Sequence, residues 1–173
     1  MIFQIEKAAE SDSDLFARII EEVWSEMDQK EWFAADNAEY TYHMMRDGNG
    51  IGYKAVAVEN GDTAAVFLVT FPGLSEENLG RDIGLSEAEL MKVAHMDSAA
   101  VLPAYRGRGL QNRLMEAAER DLKGSGIRYL LCTVHPDNIY SRNNMIKQGY
   151  RSAAMAVKYG GYEREIFVKE LSV

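Results

Sequence analysis

The chain predicts an α/β (α+β) domain with a mixed sheet of about seven strands and about four helices, and three observations carry that expectation. Asn60-Gly61-Asp62, set between two apolar alternating segments, is a hairpin signal and implies an antiparallel pair. Residues 127–134 form a continuous apolar run, as a central strand covered on both faces requires. The helix ahead of that run joins it to the preceding strand as a right-handed crossover.

Residues 2–8 alternate like a first strand. Ser11-Asp12-Ser13-Asp14 supplies N-cap chemistry for a helix with Leu15, Phe16, Ile19, Ile20 and Val23 on one face. Trp24, Met27, Trp32 and Phe33 crowd its end, a cluster that suits core packing as well as a pocket, and a second short helix follows over 37–46. Strands over 52–59 and 64–71 make the hairpin. Residues 72–90 are polar and glycine-containing and read as a loop or lid, with room for a short helix at 86–91. A strand over 92–102 leads into a helix from about 109 to 123, whose stripe is Leu110, Leu114, Ala117, Ala118 and Leu122. Gly124-Ser125-Gly126 ends it before the strand 127–134. Pro136-Asp137-Asn138 opens a further helix to Gln148, Gly149 closes it, and strands over about 150–159 and 164–171 turn at Gly160-Gly161.

At 173 residues, 47% of them hydrophobic, the chain fits a single domain with a sizeable core. A net charge of −8 argues against non-specific nucleic-acid binding, and it suits either a cationic substrate or simple solubility. Cys132 is the only cysteine, so no internal disulfide forms; within Tyr129-Leu130-Leu131-Cys132-Thr133-Val134 it reads as a buried hydrophobe rather than a reactive thiol. A reduced, cytoplasmic setting follows. The N-terminus lacks a charged start with a long apolar stretch, and no apolar run approaches the ~20 residues of a membrane span, so no membrane partner is expected. No spacing suits zinc, and no Gly-Lys-Ser/Thr follows the glycine-rich turn as a P-loop needs.

That turn lies in residues 101–111, V-L-P-A-Y-R-G-R-G-L-Q. Gly107 and Gly109 allow positive φ and close backbone approach, and the first turn of the following helix leaves about four amides without intrahelical partners. Arg106 and Arg108 add charge, so a pyrophosphate would meet amides, the helix dipole and guanidinium donors together. The same pattern also suits an ordinary surface turn.

The order of elements, together with V-x-P-x-Y-R-G-R-G, resembles the GCN5-related N-acetyltransferase (GNAT) superfamily over the whole chain. The resemblance implies a mostly antiparallel central sheet with splayed fourth and fifth strands, and acetyl-CoA as cofactor. It implies that Arg106, Gly107, Arg108, Gly109, Leu110 and Gln111 hold the coenzyme's phosphates. Gln111 stands where the family carries Gly or Ala. The backbone of Ala100, Val101 and Leu102 would bond the acetyl and pantetheine groups. Asn138, Ser141 and the Lys147-Gln148-Gly149-Tyr150 ending resemble a second family motif, a helix face that contacts CoA, with Arg142 either meeting phosphates or lying on the helix surface. Met145 stands where many relatives carry a Tyr that protonates the departing thiolate. Tyr140, one residue's turn of ~100° from Ser141, is no simple substitute; Tyr105, Ser141, water or release of free thiolate remain as routes.

Acetylation of an amine needs a base, and the ionisable residues of the fourth strand, His95 and Asp97, share a face while Ser98 points oppositely. Asp97 lies near where several relatives carry a catalytic Glu. His95 and His135 have the intrinsic pKa of a proton relay, although a lone histidine so placed is more often a structural residue. Glu26, Glu31 and Asp36 either line an acceptor opening or form a solvated face. The function expected is acetyl transfer to the primary amine of a small molecule by direct attack in a ternary complex. A peptide N-terminus or lysine is the second substrate, and a non-catalytic acyl-CoA-binding module the alternative class. Pairing between subunits through the last strand offers a homodimer.

Overall fold

The apolar runs and alternating segments become seven strands and five helices in the computed structural model, which describes residues 1–33 and 38–172. The strands are β1 Phe3–Lys7, β2 Gly50–Ala57, β3 Thr63–Thr70, β4 Val93–Val101, β5 Tyr129–Val134, β6 Arg151–Lys158 and β7 Tyr162–Glu170, in the hydrogen-bonded order β1-β2-β3-β4-β5-β7-β6. The helices are α1 Ser13–Ser25, α2 Ala38–Arg46, α3 Glu87–Leu90, α4 Leu110–Leu122 and α5 Ile139–Lys147. Asn37, the expected start of the second helix, lies outside the described residues. Among those residues, no helix is long and apolar enough to cross a membrane.

The chain forms two compact units. One holds Met1–Asp28, residues 38–70 and Asp97–Asp121; the other holds residues 29–33, Phe71–Met96 and residues 122–172.

In the first unit, β1 and β2 pair antiparallel with Phe3 opposite Ala57, and β2 and β3 with Tyr53 opposite Phe67. Helix α1 buries Phe16, Ile19, Ile20 and Val23, the face its apolar spacing predicts. Gly52 on β2 is required by that packing, because a Cβ there would stand 2.8 Å from the Phe16 ring. Strand β2 ends two residues earlier than expected. The turn takes residues 58–62, closed by Ala57 N–H donating to the Asp62 carbonyl and Gly61 N–H to the Ala57 carbonyl, both at 2.8 Å. Helix α4, which lies in this unit as far as Asp121, buries Leu110, Leu114, Met115 and Ala118 and is fastened near both ends. Arg113 Nη2 donates to the Phe3 carbonyl at 2.8 Å, and Tyr53 Oη to Asp121 Oδ2 at 2.8 Å. Burial and then the adjacent carboxylate push the Tyr53 phenol above its ordinary pKa, so it remains a donor.

In the second unit, β5 pairs antiparallel with β7, and β7 with β6. Strand β7 is thus bonded along both edges, and the expected pairing of subunits through the last strand has no free backbone to use; β6 is the edge. The first part of β4 pairs in parallel with β5 at Val93–Tyr129, Ala94–Leu130 and His95–Leu131. That ladder stops although β5 runs on to Val134, which fits the splay of the fourth and fifth strands. Leu79, Val93, Tyr129, Leu131, Ile166 and Val168 form a core cluster. The segment 72–90 is not open coil. It carries a 3-10 turn at Leu79–Ile83 as well as α3. Asn78, fully buried, organises it: Nδ2 donates to the carbonyls of Gly73 (2.7 Å) and Leu90 (3.1 Å), while Oδ1 accepts from Gly80 N–H at 2.8 Å. A side chain with both donors and an acceptor replaces the missing ladder bonds of a buried loop, which its polar composition conceals.

Tyr53→Phe removes one fastening of α4 while keeping the ring. The expected loss is about 1 kcal/mol, the usual net value of such a bond at a partly exposed carboxylate, read from urea unfolding midpoints.

Candidate active site

In the first unit the glycine-rich turn has the geometry that its residues predict. Gly107 and Gly109 have φ of +75° and +69°, and a Cβ on either would meet no atom within 4 Å. Glycine is therefore needed for conformation, and the backbone there is open to a ligand. Arg106, Gly107, Arg108 and Gly109 are exposed, Leu110 is buried beneath them and Gln111 is half-buried. Arg106 leaves a 3-10 turn at Pro103–Tyr105 in extended conformation, and Arg108 lies over the Phe3 ring at 5.9 Å. Arg113 N–H donates to the Gly109 carbonyl at 3.1 Å, the first intrahelical bond of α4. The amides of Leu110 and Gln111 precede that bond, at the positive end of the helix dipole. Open backbone, amides and two exposed guanidiniums fit a diphosphate. Just upstream on β4, Ala100 is buried, Val101 and Leu102 are half-buried, and Leu102 N–H donates to the Ala64 carbonyl at 2.9 Å.

Asp97 is half-buried on β4, and its Oδ2 accepts from Tyr40 Oη on α2 at 2.8 Å. Tyr40 carried no sequence signal, because a Tyr two residues from Tyr42 in a short helix looks like packing. Tyr105 Oη donates to Asp62 Oδ2 at 3.2 Å.

In the second unit the candidates divide. His95 accepts the Leu79 N–H at Nε2, 3.0 Å, tying the 3-10 turn to β4. Burial, and secondarily the Lys158 charge, hold its pKa down at about 4, so the ring is neutral with its acceptor nitrogen engaged. His135 accepts from Asp137 N–H at Nδ1, 3.1 Å, and its ring lies 6.3 Å from that of Trp32. Asn138 caps α5, its Oδ1 accepting from Ser141 N–H at 3.2 Å. Arg142 makes a two-point ion pair with Glu165, Nε to Oε2 at 2.9 Å and Nη2 to Oε1 at 3.2 Å. The structure thus gathers His135, Asn138, Ser141 and Arg142 along the connection from β5 into α5, and leaves His95 with the loop it anchors. Met145 is buried and accepts from Cys132 Sγ at 3.4 Å; burial pushes the Cys132 thiol up to about 12, too high for a nucleophile at neutral pH. Tyr140 is 88% exposed. Glu26 and Glu31 are exposed, and Asp36 lies outside the described residues. Glu165 and Arg164 were missed, although two charges inside the apolar pattern of β7 are a readable anomaly. Among the described residues, no group of three or more His, Cys, Asp or Glu is arranged for a metal.

Comparison with known proteins agrees with this geometry. The model of the acetyltransferase (GNAT) family matches residues 5–150, and the chain belongs to that family, whose members are acyltransferases using acetyl-CoA. A search of curated proteins finds no match. Among solved structures, the chain is similar to Arabidopsis thaliana NAA60 in complex with acetyl-CoA, with a TM-score of 0.77 at 13% identity over 98% of this chain and 99% of that one. It is similar to the Escherichia coli ribosomal-protein-S18-alanine N-acetyltransferase (TM-score 0.72, 17% identity, 99% and 96% covered). It is also similar to Salmonella typhimurium yncA with its cofactor acetyl-CoA (TM-score 0.70, 14% identity, 100% and 96% covered).

The His95 geometry sets a pH dependence. Above pH 6.5 the ring is neutral both folded and unfolded; as pH falls toward 4, the unfolded chain takes up a proton that the folded chain refuses. Stability therefore declines over that window by up to about 3 kcal/mol. His95→Gln, which keeps an acceptor for Leu79, is expected to flatten this part of the profile, measured by denaturant unfolding at pH 7, 5.5 and 4.

Proposed function

We propose that this protein acetylates the primary amine of a small molecule by direct attack within a ternary complex. When bound, acetyl-CoA supplies a thioester carbonyl activated toward amines. The turn from Arg106 to Gln111 holds its diphosphate through backbone amides and the Arg106 and Arg108 guanidiniums, and the Ala100 to Leu102 backbone aligns the acyl end. Asp97 is the base. It would take the proton that an ammonium acceptor must lose to become a nucleophile, and the second proton, shed by the nitrogen as the amide forms, would leave with the thiol. Tyr40 orients the Asp97 carboxylate by donating to Oδ2. The Tyr40–Asp97 hydrogen bond is the observation that carries this assignment, because His95 and His135 each spend an acceptor nitrogen on a backbone amide. The single buried thiol supports a reducing, cytoplasmic setting.

Release of free thiol from acetyl-CoA in the presence of a panel of amines, lysine and peptide N-termini tests the reading. Turnover confined to peptides moves the acceptor to that class, and no turnover with any amine rejects acetyl transfer. Asp97→Asn is expected to lower kcat by about 100-fold or more while leaving KM for acetyl-CoA within about twofold, and Tyr40→Phe to fall between it and the wild type. Gly109→Val, forcing a β-branched residue to φ of +69°, is expected to weaken coenzyme binding in calorimetry.

A further inference from the structure

Arg164 is the most anomalous side chain of the second unit. It stands at the head of the buried run of β7, opposite Ala156 of β6, and is 2% exposed. Nη2 donates to the backbone carbonyl of Glu31, in the 3-10 turn Lys30–Trp32. Nε and Nη1 are buried without a hydrogen-bond partner, and among the described residues no carboxylate forms an ion pair with the guanidinium. Glu165, its sequence neighbour, is bonded twice by Arg142. A guanidinium stays charged in a protein, so buried N–H bonds and a full positive charge are left without an anion.

The groups that cover this charge are themselves under strain. The Tyr159 and Tyr162 rings stand 5.6 and 5.5 Å from the guanidinium carbon. Tyr159 has a φ of +54°, the one non-glycine residue in the left-handed region among the described residues, and its Oη shares a 3.0 Å hydrogen bond with Thr133 Oγ1 of β5. A bulky side chain is strained there, whereas glycine, which follows at 160 and 161, is not. A strained ring and an unanswered charge meet at one place, and such features gather where ligands bind. Tyr159 and Tyr162 are 49% and 47% exposed, so the surface begins at the rings that cover the guanidinium. Turning one of them aside opens Arg164 to solvent.

We propose that Arg164 is the centre of an oxyanion site within the second unit, which takes the carboxylate or phosphoryl group of a small molecule once a covering tyrosine ring turns aside. Each fork of a guanidinium joins Nη2 to one of the other two nitrogens, so an oxyanion in either fork satisfies an N–H that nothing in the described fold bonds. Carboxylate and phosphoryl oxygens both make that two-point pair, and their shared chemistry defines the ligand.

The probes are inorganic phosphate and acetate, each exchanged for chloride at constant ionic strength and read by thermal unfolding of the whole chain. The glycine-rich turn also attracts phosphate, so the readout is the difference between the wild type and Arg164→Met. An anion that raises the midpoint of the wild type by about 3 °C or more beyond its effect on Arg164→Met upholds the site. Acetate alone giving that difference names a carboxylate, phosphate alone a phosphoryl group, and both together the shared chemistry. Equal responses in the two proteins, or none, overturn the proposal. Should Arg164→Met fail to fold by circular dichroism, nuclear magnetic resonance of the wild type decides, through the Arg164 Nε–H signal recognised by its through-space coupling to the two tyrosine rings. A saturable shift with either anion upholds the site, and a signal unmoved by both overturns it. Coenzyme and amine are absent throughout, so this outcome and that of the thiol-release assay are independent.

Discussion

Everything that the glycine-rich turn can do depends on α4 being held still. An anion-binding helix start is useful only if its amides keep their direction, and three contacts fix that direction: the buried stripe of Leu110, Leu114, Ala118 and Leu122, the Arg113 bond to the β1 carbonyl of Phe3, and the Tyr53 bond to Asp121. The stripe sets which face of α4 is buried. The two polar contacts, one near each end, set rotation and tilt, so Gly107 and Gly109 deliver their open backbone to a fixed place. A coenzyme grip thus rests on packing in β1 and β2, more than forty residues earlier in the chain.

Two arginines show how context divides a single chemistry. Arg142 meets Glu165 in a two-point pair whose acid is buried, and its charge is answered within the fold. Arg164, one residue from that same Glu, is buried beside two tyrosine rings and donates to the Glu31 carbonyl. Aromatic faces attract a cation without satisfying its N–H bonds. Nε and Nη1 of Arg164 are thus buried without a hydrogen-bond partner, a cost that the surrounding fold absorbs.

Much of this was legible in the residues. Strands and helices followed from period, and the turn at 106–111 from two glycines and two arginines, because these depend on local rules. Boundaries slipped where backbone bonds rather than side-chain periodicity closed a turn, as at residues 58–62. The interior of 72–90 was hidden because one amide, Asn78, organises it through contacts up to twelve residues away. Arg142 looked like a surface or phosphate contact, and its partner Glu165 is 23 residues distant, on another element. His95 could be placed on the face of Asp97 by alternation alone, yet its bond to Leu79 depends on how a loop returns to the strand. Pairings of this sort are tertiary facts, and a one-dimensional pattern holds no record of them.

The silence of Cys132 has a practical side. Enclosed against Met145 with its proton firmly held, the one thiol of the sequence is kept from the surface. A cysteine introduced anywhere on that surface becomes the sole attachment point for a dye or spin label. Distances between the turn Lys30–Trp32 and the rest of the molecule thereby open to spectroscopy without first engineering the native thiol away.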